Sequence, residues 1–94
     1  MNAYDIIIRP VVSEKSYGLM EQNRYTFKVH RSACKEEIGQ AIHEIFGVTV
    51  IKVNTMNVSG KPRRVRYNKG LSRSWKKAIV SVKEGDTIDL FAGR

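Results

Sequence analysis

The residues with the most chemistry to offer stand in one acid-free run. Between Gly60 and Lys77 the chain places Lys61, Arg63, Arg64, Arg66, Lys69, Arg73, Lys76 and Lys77, eight cations with no carboxylate among them. Arginine forks bond phosphate oxygens in two places at once and lysine adds compact charge, so the mixture suits a contact that tracks a polyanionic backbone. Tyr67 and Trp75 flank the cations with flat rings on which unpaired bases can stack, which favours structured or single-stranded RNA over a uniform duplex. Asn68 and Gly70 permit tight backbone turns.

The charge balance of the whole chain sharpens this. The sequence has 17 Lys and Arg against 9 Asp and Glu, a net charge of +8. Outside the run the two signs are equal, nine of each, so the entire excess belongs to eighteen residues and calls for a polyanionic partner. Gly60 to Ser74 is also long for a connection, about 15 residues where hairpin loops take about two to five, and it has too few apolar side chains to bury itself. A solvated loop that merely aids solubility is the competing interpretation. The lack of acids, the concentration of charge and the length weigh against it.

Other candidate chemistry is thin. His30 and His43 have no cysteine or acid pattern that suggests a metal site, and Cys34 has no histidine at a spacing that supports nucleophilic catalysis. Glu36 and Glu37 are explained by a helix dipole. Gly60, Lys61 and Gly70 do not make a nucleotide-binding loop. No enzyme activity, metal, cofactor or small-molecule substrate is expected. No apolar run approaches the roughly 18 residues of a membrane span, and one cysteine cannot form an internal disulfide.

At 94 residues the chain is expected to form a single domain over 1–94, with 60–77 as a basic extension. Arg24 to His30 alternates, with Tyr25, Phe27 and Val29 on an inward face, which predicts a strand. After Ser32, the residues Ile38, Ala41, Ile42, Ile45 and Phe46 fall on one stripe of a helix that Gly47 stops. Thr49 to Val58 is β-branched, with a parity shift that predicts a bulge near Asn54 or Thr55. Ala78, Val80 and Val82 mark another strand, and Ile88 to Phe91 a short edge. Ser13 is placed as the N-cap of a short helix through Met20, weakened by Gly18. The predicted class is α+β, with a three- to four-stranded antiparallel sheet, helices packed on one face and a long basic loop or hairpin extension.

In this order the chain resembles the universal large-subunit ribosomal protein family twenty-three nearly end to end. The resemblance is carried by Arg9, Pro10, Val11, Val12, Ser13, Glu14, Lys15 and Ser16; by Tyr25, Thr26, Phe27, Lys28 and Val29; by Val53, Asn54, Thr55 and Met56; by Gly60, Lys61, Pro62, Arg63 and Arg64; and by Ser74, Trp75, Lys76, Lys77 and Ala78. It implies a compact α+β body, an extension threading into large-subunit ribosomal RNA, and a position in the cytoplasm at the mouth of the polypeptide exit tunnel beside the ribosomal protein of family twenty-nine. It further implies that Ser13, Glu14 and Lys15 offer a docking site to the ribosome-associated chaperone and the signal recognition particle. The candidate RNA contacts are then the eight cations with Tyr67, Asn68 and Trp75, joined by Arg9 and Lys15. The absence of a long basic N-terminal stretch leads to the expectation of a bacterial or organellar ribosome. A freestanding RNA-binding regulatory module is the alternative, and it would need aromatic residues exposed on central strands.

Overall fold

A computed structural model of the chain describes residues 2–58 and 74–90. In chain order they form α1 (Ala3–Ile6), β1 (Ile7–Pro10), α2 (Glu14–Met20), β2 (Arg24–Val29), α3 (Lys35–Phe46), β3 (Val50–Val58) and β4 (Trp75–Val82). The four strands pair antiparallel in the order β1, β2, β4, β3, and the helices pack against this sheet. The class is α+β, as the patterning predicts.

The periodic segments fold as their patterns require. Tyr25, Phe27 and Val29 of β2 and Ala78, Val80 and Val82 of β4 are buried, and they meet Ile38, Ala41 and Ile42 of α3 in one core. The Phe27 and Phe46 rings lie with centroids 5.7 Å apart. Burial of each large core side chain, such as Phe27 or Ile42, contributes about 1.5–3 kcal/mol. Gly47 ends α3 at φ 68°, a left-handed conformation that glycine adopts without strain, and its N–H donates to the His43 carbonyl. Ser13 caps α2 as expected: the Ser16 N–H donates to Ser13 Oγ at 3.2 Å and the Ser13 N–H to Ser16 Oγ at 2.7 Å.

Three details differ from the sequence-based picture. The fourth strand is β1, at the start of the chain. Residues 87–90 form no strand, and Ile88 is instead buried against the core; Phe91 lies outside the described residues. The irregularity in β3 falls between Val50 and Lys52, where Ile51 turns outward at 66% exposure, and not at Asn54 or Thr55. The basic run also loses its last three residues to regular structure, because Trp75, Lys76 and Lys77 begin β4. Val58, the last residue of β3, pairs with Trp75, the first of β4.

Adjacent strand residues point to opposite faces, and this separates Lys76 from Lys77. Lys76 stands in register with the buried Val29 and donates its ammonium to the carbonyl of Ala33, just before α3. Lys77 stands in register with Lys28 on the other face. Replacing Lys76 by Met is therefore expected to lower stability by about 1–3 kcal/mol in urea unfolding, through loss of a charge-assisted hydrogen bond. Lys77→Met is expected to leave stability unchanged or raise it. Equal losses in the two variants would contradict this assignment of faces.

Candidate nucleic-acid interface

Pairing register, rather than distance along the chain, assembles the cations of the body. Arg9 opposes Lys28, Lys28 opposes Lys77, and Lys77 opposes Met56, so one row crosses all four strands. The parallel row of Arg24, Ser81 and Lys52 adds two more cations. Directly opposed residues share a face, and like charges so placed repel. The row Arg9, Lys28, Lys77 is thus a local cost to the fold that a polyanion laid across it would relieve, the kind of local inconsistency expected at functional positions.

Trp75, two residues before Lys77, lies on the same face, with the Lys28 ammonium 6.0 Å from its ring centroid. Of the residues in these rows and the intervening row of Thr26, Ile79 and Asn54, only Thr26 is buried; the others are partly or fully exposed.

The carboxylates are elsewhere. None of the nine falls in a strand; they lie in helices, turns and connecting segments. Several are occupied in holding backbone donors: Asp5 accepts from the Asn2 N–H, Glu37 from the Cys34 N–H, and Asp86 from the Thr49 N–H at 2.8 Å. The hydrogen bond from the Cys34 backbone, with help from the Cys34 side chain, holds the Glu37 carboxyl below its ordinary range by favouring the charged form. Glu37 and Glu44 line a cavity of about 320 Å³ between α1 and α3. Asp89 stands at the margin of the cationic row, where it lines a cavity of about 250 Å³ together with Arg9 and Leu90. No group of three or more His, Cys, Asp or Glu residues that could hold a metal ion occurs among the described residues.

Of the residues singled out in the sequence, Arg9, Trp75 and Lys77 are brought together on the sheet face. Lys76 is turned away from them by its bond to Ala33. Lys15 lies apart from the sheet, on α2, exposed beside Ser13 and Glu14. Lys61, Arg63, Arg64, Arg66, Tyr67, Asn68, Lys69 and Arg73 lie outside the described residues. Sequence reasoning missed Arg24, Lys28 and Lys52. Their positions on the polar side of strands were readable, but their proximity to Arg9 and Lys77 is set by register.

Comparison with known proteins is consistent throughout. The family model described as ribosomal protein L23 matches residues 5–90. A protein of Roseiflexus castenholzii is 55% identical over 93 residues, covering 99% of either chain. One from Cutibacterium acnes is 60% identical over 89 residues, 95% of this chain and 87% of the relative. One from Symbiobacterium thermophilum is 54% identical over 93 residues, again 99% of both. Each of the three is named large ribosomal subunit protein uL23. The matching family model and identity above one half over almost the full length place the chain in the ribosomal protein L23 family, a family of structural ribosomal proteins and not of enzymes.

Proposed function

We propose that the chain is a constituent of the large ribosomal subunit that holds ribosomal RNA with two cooperating surfaces, the basic run from Gly60 and the sheet face of Arg9, Lys28 and Lys77. The observation that carries this is the row of three directly opposed cations, whose mutual repulsion a polyanion laid across it would relieve. Membership of the family supports a position at the exit tunnel beside the family twenty-nine protein. The freestanding regulatory module has less support, because Tyr25 and Phe27 are 3% and 0% exposed and leave Trp75 as the one aromatic residue on the open face of the sheet among the described positions.

The start of α2 supplies a second surface of different character. The Ser13 and Ser16 hydroxyls are engaged with each other and with the backbone, whereas Glu14 is exposed between the outward-facing Val12 and Tyr17, at 44% and 48% exposure. A carboxylate set between apolar side chains on a rigid capped turn is suited to docking a basic, partly apolar segment of the ribosome-associated chaperone or the signal recognition particle.

Two experiments test these assignments. Titration of the purified chain into large-subunit ribosomal RNA and an unrelated RNA of equal length is expected to show preference for the former. The logarithmic salt slope should lie near about −5, for roughly six to eight phosphates neutralised. The Arg63→Ala, Arg64→Ala, Arg66→Ala variant should bind both RNAs more weakly with an unchanged circular-dichroism spectrum, and equal affinity of the unaltered chain for the two RNAs would refute specific ribosomal RNA binding. For docking, large subunits carrying Glu14→Ala should assemble normally and capture the chaperone less well; undiminished capture would remove Glu14 from the site.

A further inference from the structure

Nothing in the core accounts for the placement of Trp75. It opens β4 on the face away from the buried Ala78 and Val80, partly exposed, beside a cavity of about 290 Å³. Ile8, Lys28, His30, Arg31 and Ser74 line that cavity with it, and no carboxylate among the described residues does. His30 Nδ1 accepts the Ser32 N–H at 3.0 Å, so the neutral ring carries its proton on Nε2 and keeps that nitrogen as a donor. The cavity therefore combines one flat indole, one exposed aliphatic side chain, two permanent cations and further hydrogen-bond donors.

We infer that this cavity is a subsite for a single unpaired nucleotide, whose base stacks on the Trp75 indole while its phosphate is held by Lys28 and Arg31. The inference rests on the RNA-binding proposal and adds to it a place where one base leaves the stack. Stacking on an indole accepts any base, because every base has a π face, so the site selects for an unpaired nucleotide and not for its identity. The Lys28 ammonium, now over the ring, exchanges a weak cation–π contact for a phosphate when the base arrives. Trp75 is the one aromatic residue among the described strand positions on this face of the sheet, which limits the site to one base and distinguishes it from a sheet that reads several.

Trp75 is also the single tryptophan of the sequence, so its emission reports this site alone. The full chain is titrated at low salt with dye-labelled oligoadenylate of eight nucleotides, following indole emission and dye anisotropy together. Saturable quenching with the same midpoint as the anisotropy change is expected. An abasic strand of equal charge should bind about tenfold more weakly and without quenching, and Trp75→Leu should lose about the same factor toward oligoadenylate with an unchanged circular-dichroism spectrum. Anisotropy that reports binding while emission stays constant, or equal quenching by the abasic strand, would overturn the subsite and leave the RNA-binding proposal standing. No anisotropy change with any RNA would defeat both. Equal quenching by polyglutamate would assign the cavity to acidic peptides and overturn the inference.

Discussion

β4 is paired on both of its sides, with β2 from Lys76 to Ser81 and with β3 from Trp75 to Val82, and every other feature of the molecule is referred to this strand. Because side chains alternate along it, one set of residues, Ala78, Val80 and Val82, is committed to the core with α3, and the other, Trp75, Lys77 and Ile79, is committed to the opposite face. A slip of one residue would bury Lys77 and expose Val80, at a cost far beyond what a small core tolerates. The packing of the core thereby fixes the position of the cations. The same pairing holds Val58, the end of β3, against Trp75, the start of β4.

The distribution of charge follows from which backbone groups need partners. Helix starts and tight turns leave N–H groups without internal acceptors, and Asp5, Glu37 and Asp86 supply them; strand interiors have no such need, and no acid occurs there. Cations on the strands are left without carboxylate neighbours in the sheet. The charge of the described body is thus far from uniform: its strands carry cations and no acid, and every carboxylate lies in a helix, a turn or a connecting segment. Lys76 is the exception that clarifies the rule: it faces the core side, and its ammonium serves the Ala33 carbonyl instead of an external anion.

Much of the fold was legible in the sequence where periodicity is long enough to count. The alternation of Tyr25, Phe27 and Val29 and the helical stripe from Ile38 to Phe46 specify β2 and α3, and Ser13 and Gly47 mark helix ends by their own chemistry. α1 and β1 were not legible, because four residues each are too few to show a period, and the three isoleucines from Ile6 straddle their junction. The bulge in β3 lies nearer the start of the strand than its apolar pattern suggests, because Ile51 and Met56 are apolar and yet exposed, so apolarity there does not report the buried face. For the interface, composition identified the basic run. It could not separate Lys76 from Lys77, which depends on strand parity, or join Arg9, Lys28 and Lys77, which are far apart in sequence and meet only through register.

RNA is proposed to lie across the sheet face defined by Arg9, Lys28 and Lys77. Backbone amide chemical shifts of the isotopically labelled chain, recorded as a large-subunit ribosomal RNA fragment is added, test it residue by residue. The account predicts the largest changes at Arg9, Lys28, Trp75 and Lys77, with Ile38, Glu44 and the rest of α3 nearly unmoved. Changes concentrated on α1 and α3, with the strand residues silent, would contradict it.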